Sequence, residues 1–189
     1  MAEDTRRITD PKALRALAHP LRWQLLEIVG REGTATATQC AQETGESVAN
    51  CSYHLNLLAK YNYVEKAEGG QGREKPWRVV SLSQQVSTED ATDDDTRLAM
   101  QAASTAFLDY ELALIKERGL QSHLEPPDWR AVVGVDNSND FLTPAEVEEL
   151  RVAVRELRDR FRDRRTDPAK RPKGSRSVNV FFSTTVKPD

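Results

Sequence analysis

With 189 residues, 30% of them charged and 38% hydrophobic, the chain has room for one sizeable domain or a small domain plus an extension. No apolar run approaches the ~20 residues that a bilayer crossing needs. Met1 to Asp10 is polar and lacks the apolar stretch of a signal peptide, so a cytoplasmic protein with no membrane partner is expected.

The net charge of −3 does not announce a nucleic-acid binder, but its distribution is uneven. Glu89, Asp90, Asp93, Asp94 and Asp95 fall in one short stretch without a basic residue between them, which leaves residues 1–82 near neutral. Two cysteines, Cys40 and Cys51, make no disulfide framework and match no common zinc spacing. They read as small buried side chains in a reducing compartment, with a redox-sensing pair as the alternative.

In chain order, Thr9 or Asp10 caps a first helix that has Pro11 at its first position and Ala13, Leu14 and Leu17 as its apolar stripe. His19-Pro20 ends it, because the residue before proline is pushed out of the helical region. A second helix starts at Pro20, buries Leu21, Leu25, Ile28 and Val29, and meets a plausible stop at Gly30. Thr36 or Thr38 then caps a short third helix to about Thr44. Gly45 breaks the chain, and Ser47 caps a fourth helix reaching about Lys60.

Two short helices around a tight glycine turn have the helix-turn-helix pattern. On the fourth helix, Cys51, Leu55 and Leu58 are spaced to pack inward, which turns Ala49, Asn50, Tyr53 and Asn56 outward. Strand-like runs at 63–67 and 77–82 flank Gly69-Gly70-Gln71-Gly72, a β-hairpin placed as a wing. Arg73, Lys75 and Arg78 supply its positive charge.

Residues 83–95 read as an acidic linker. A long helix over 96–118 follows, with Ala99, Ala103, Ala106, Tyr110 and Ala113 along one side. Leu98, Phe107, Leu108, Leu114 and Ile115 widen its apolar surface, so cover from a partner copy as well as from its own winged domain is expected. Residues 119–128 read as loop, and 131–142 as a weakly marked strand. Thr143-Pro144 opens a helix whose seam is Val147, Leu150, Val154, Leu157 and Phe161. Residues 162–176 read as an exposed basic loop, and the basic run from Arg160 to Arg176 is either a solvated surface or a second contact with DNA flanks. Val178 to Val186 reads as a final strand.

A polar helix face set in a major groove recognises base edges, and Asn50 and Asn56 are the residue types that pair with adenine. Tyr53 suits a thymine methyl or a phosphate, while Arg73 and Lys75 suit phosphates or the minor groove. The candidate DNA-binding residues are therefore Ser47, Ala49, Asn50, Ser52, Tyr53, His54, Asn56, Arg73, Lys75 and Arg78. No nucleophile elbow, phosphate loop, zinc-protease helix or carboxylate pair stands in a recognisable context, so no enzyme is expected.

Three stretches, His19-Pro20-Leu21-Arg22, Ser52-Tyr53-His54-Leu55-Asn56-Leu57-Leu58 and Tyr61-Asn62-Tyr63-Val64-Glu65, resemble the ArsR-type (arsenic-repressor-like) winged-helix regulators. Residues 141–146 and 171–178 are similar to the C-terminal extension of that family's actinobacterial branch. The resemblance implies homodimeric binding to a palindromic operator in double-stranded DNA, usually as a repressor, and it marks the His54 position as one where the family often carries histidine. Metal-sensing members have a cysteine pair in the helix before the recognition helix. The matching region here, Thr36 to Cys40, has a single thiol, and His19, His54 and His123 show no ligand spacing, so no metal or other cofactor is expected.

The expected fold is α+β: a winged helix-turn-helix over 8–82, the linker 83–95, and a dimerisation region over 96–189. That last region comprises the long helix and a small α/β extension. It could enclose a small-molecule effector or simply build the dimer. The competing function is a winged helix used for protein contact, without sequence-specific DNA binding.

Overall fold

The computed structural model describes residues 6–69, 74–81, 84–85 and 93–187. Among the described residues the chain is mixed, mainly helical, with a two-stranded antiparallel sheet, a short parallel strand pair and one long helix. It forms two units, residues 1–118 and 119–189. Among the described residues no helix is long and apolar enough to cross a membrane.

In the first unit, β1 (Arg6–Arg7) precedes α1 (Pro11–Arg15), where the Asp10 side chain accepts the Lys12 N–H and Pro11 opens the helix. Pro20 opens α2 (Pro20–Glu32) with the His19 imidazole as cap, accepting the Leu21 N–H at 3.2 Å. α2 runs through Gly30, where the sequence suggested a stop, and ends at Gly33 with φ of 77°. A helix tolerates one glycine when its neighbours are anchored, and Ile28 and Val29 are fully packed here.

Thr36 caps α3 (Ala37–Thr44) in a reciprocal box with Gln39, and Gly45, at φ of 74°, takes the left-handed turn after it. Ser47 caps α4 (Val48–Lys60) by accepting the Asn50 N–H at 3.1 Å. Asn62, at φ of 61°, turns the chain out of α4; asparagine tolerates this region. The sheet pairs β2 (Val64–Lys66) with β3 (Trp77–Val79), with Glu65 opposite Arg78, and Trp77 also bridges to Ala35. β4 (Gln84–Gln85) runs parallel to β1.

One core closes this unit: Leu14, Leu17, Leu25, Ile28, Val29, Cys40, Cys51, Leu55, Leu58, Tyr63 and Val64 are almost wholly buried. α5 (Asp94–Gln121) adds Ala99, Met100 and Ala103 to the same cluster, so the N-terminal part of the long helix belongs with the first unit's core rather than with the tail. Asp93 starts α5 by accepting the Thr96 N–H at 2.7 Å. The acidic-linker residues 86–92 and the turn residues 70–73 lie outside the described residues. Ala113, assigned from periodicity to the inner stripe, is exposed; Glu111 is buried instead.

In the second unit, short 3-10 helices at Ser122–Leu124 and Pro168–Lys170 accompany α6 (Pro127–Arg130), α7 (Pro144–Asp159) and α8 (Asp163–Thr166). α7 has a full capping box, Thr143 with Glu146. Two expectations fail here. Neither 131–142 nor 178–186 forms a strand, so the expected small α/β extension is helices joined by irregular chain among the described residues. Strand propensity needs a partner ladder, and the Val178–Val186 run has no strand beside it among the described residues. The 162–176 segment, expected as loop, holds α8 and a turn tied by Lys170 to Asp163 at 2.6 Å.

Candidate functional site

α4 divides into two faces. Cys51, His54, Leu55 and Leu58 are buried, while Ser47, Val48, Ala49, Tyr53, Asn56 and Lys60 are exposed and Asn50 and Ser52 are half-buried. Tyr53 is 62% exposed and Val48 45%. Apart from Val48, Ala49 and the basic Lys60, this outward face offers hydroxyls and amides rather than charge.

Its side chains are held locally. The Asn50 amide donates to Glu46 at 2.9 Å, and the Asn56 amide donates to the Ser52 carbonyl at 2.8 Å. Each amide thus keeps its oxygen available, but one donor is spent within the protein.

His54 does not share that face. It is 6% exposed and turned toward α2, where the Arg22 Nε donates to its Nδ1 at 3.0 Å. The His19 ring lies 4.7 Å from it and the Tyr53 ring meets it edge-on at 5.2 Å. Burial, then the Arg22 charge and His19, hold the His54 imidazole below its ordinary value, so it stays neutral near pH 7. Arg22 also donates to the carbonyls of Ala16 at 2.9 Å and Arg15 at 3.2 Å. One guanidinium therefore fastens the α1 end, α2 and α4 together, and His54 orients α4 rather than presenting itself outward.

The sheet approaches α3 through Glu74, whose carboxylate accepts the Thr38 N–H at 3.0 Å and the Thr38 hydroxyl at 2.9 Å. Lys75 is exposed. Arg78 is engaged across the strands with Glu65 at 2.8 Å, so its charge is partly neutralised. Lys66 lies over the Trp77 ring at 3.4 Å, and burial lowers its pKa. Arg73 lies outside the described residues.

Of the ten candidate residues, then, Ser47, Ala49, Asn50, Ser52, Tyr53 and Asn56 come together on one helix face. Lys75 and Arg78 sit on the neighbouring hairpin segments, and His54 points into the core. Sequence reasoning missed Arg22, Glu46 and Glu74 as positioning groups. Arg22 meets His54 across 32 residues of chain, a pairing no local spacing reveals.

Cys40 and Cys51 are free and fully buried, and burial pushes the Cys40 thiol up to about 11. Among the described residues no three His, Cys, Asp or Glu side chains gather as a metal site. No protein-family model matches the chain, and no curated protein matches it.

Proposed function

We propose that the chain is a sequence-specific double-stranded DNA-binding transcriptional regulator of the ArsR type. In this reading α3, Gly45 and α4 form a helix-turn-helix, the β2–β3 hairpin is its wing, and a homodimer represses from a palindromic operator. The observation that carries it is α4. Its outward face is polar, with Asn50 and Asn56 on the exposed side, and it is braced from behind by the Arg22–His54 contact. Groups of this kind, held rigidly on a helix, are what base-edge readout requires.

The homodimer is supported by α5. Leu98, Leu108 and Leu112 stay 59%, 42% and 54% exposed, and Leu98 lines a groove of about 470 Å³ together with Ala18, Pro20, Ala102 and Thr105. A second copy would cover this apolar surface.

The test separates readout from grip. Asn50→Ala should lessen discrimination between operator and random duplex, whereas Lys75→Ala should weaken both about equally. The reverse pattern refutes the roles assigned. The protein-contact reading draws on exposed Val48 and Tyr53 and on the Arg78–Glu65 pair, which leaves the hairpin less positive than its sequence. It is favoured if duplex binding is absent at low salt.

A further inference from the structure

Arg151, Arg155 and Arg158 follow one another at four and three residues on α7, so they share one side of the helix. Together with Val154 of the same helix and Phe182, Ser183 and Thr184 of the C-terminal segment, they line a groove of about 320 Å³. No carboxylate lines it. Arg151 has Glu148 at 3.7 Å, beyond hydrogen-bond reach, and neither Arg155 nor Arg158 makes an ion pair among the described residues.

Three other arginines of this unit are occupied. Arg162 pairs with Asp159 at 3.0 Å, Arg176 grips Glu125 at 2.5 and 3.0 Å, and Arg171 donates to the carbonyls of Arg164 and Arg165. Like charges at helical spacing repel, so the stripe on α7 weakens its own helix unless an anion sits among the three.

Guanidinium groups favour oxyanions that present two or more oxygens, and the hydroxyls of Ser183 and Thr184 are further donors. Val154 is half-buried and Phe182 is 40% exposed, which gives the groove an apolar wall beside its charged one. Its volume suits a small metabolite rather than a polymer segment.

We infer that this groove binds a small organic phosphate. The phosphate monoester group lies among Arg151, Arg155 and Arg158, and the organic part rests on Val154 and Phe182. Every residue involved belongs to the second unit, so the inference stands apart from the DNA reading. A dicarboxylate offers related chemistry, and a DNA backbone offers the same phosphate in polymeric form; the titration separates all three.

The full chain is titrated calorimetrically, at one ionic strength, with phenyl phosphate, inorganic phosphate, phthalate and a mixed-sequence duplex. Phenyl phosphate should bind saturably and more tightly than inorganic phosphate. Arg155→Gln and Arg158→Gln should each weaken it by on the order of tenfold, and the double variant should abolish it. Arg160→Gln, at the C-cap of α7 and outside the groove lining, should leave binding unchanged. All three arginines are exposed, and matching circular dichroism spectra establish that the variants fold.

No saturation by phenyl phosphate at millimolar concentration, or binding indifferent to both substitutions, overturns the proposal. Saturation by phthalate alone overturns the phosphate assignment. Duplex binding that falls in the double variant while phenyl phosphate fails to saturate overturns it in favour of a backbone contact.

Discussion

Replacing Arg22 by methionine keeps a stem of similar length but removes the guanidinium from the junction of α1, α2 and α4. Three bonds go: to His54 Nδ1 at 3.0 Å, to the Ala16 carbonyl at 2.9 Å and to the Arg15 carbonyl at 3.2 Å. Hydrogen bonds from a charged donor are each worth ~1.5–3 kcal/mol, but they are not additive. Arg22 is half-buried, and water recovers part of each bond, so a net loss of about 2–3 kcal/mol is expected. For a unit of this size that lowers Tm by on the order of 10 °C.

The same substitution has a pH signature. Folding lowers the His54 pKa, so the unfolded chain takes up a proton more readily than the folded one. Stability is then fully present above about pH 6.5 and declines as pH falls below it toward the folded value. Removing the Arg22 charge eliminates one of the two main causes, and burial, the larger, remains. The loss between about pH 8 and about pH 5.5 should therefore shrink without vanishing. Thermal melts by far-UV circular dichroism at both pH values measure it. A Tm change below about 2 °C, or an unaltered pH dependence, refutes the reasoning.

Two further outcomes follow from the core. Tyr63 is fully buried and its hydroxyl donates to the Ala13 carbonyl at 2.9 Å, joining the start of the sheet to α1. Tyr63→Phe should cost about 1–3 kcal/mol in a denaturant titration because that carbonyl loses its side-chain donor, and no loss would mean that water replaces it. Cys40 and Cys51 should resist a thiol reagent in the native protein near neutral pH, since both are fully buried and the Cys40 thiol is held near 11; rapid labelling without unfolding would contradict this.

Much of the first unit was legible locally. Pro11, Pro20, Thr36 and Ser47 each mark a helix start with side-chain chemistry that acts within three residues, and Gly45 marks its turn the same way. The outward face of α4 followed from three- and four-residue spacing. What escaped depends on distant partners. Arg22 and His54, Glu74 and Thr38, and the entry of Met100 into the first core are all set by tertiary packing. The C-terminal strand failed for the same reason in reverse, since its valines promise a ladder and no neighbouring strand supplies one. The arginine groove on α7 escaped as well, because Phe182 and Ser183 join Arg151, Arg155 and Arg158 only in the folded unit.

The central claim is that α4 reads duplex DNA. Its most direct test is a pull-down of genomic fragments with the purified full chain, followed by titration of the best fragment at two salt concentrations. The account predicts one short inverted repeat and an affinity that falls with salt, with a log–log slope of about −0.9 for each phosphate contacted. No enriched sequence, or an affinity indifferent to salt, would contradict it and leave α4 as a protein-binding surface.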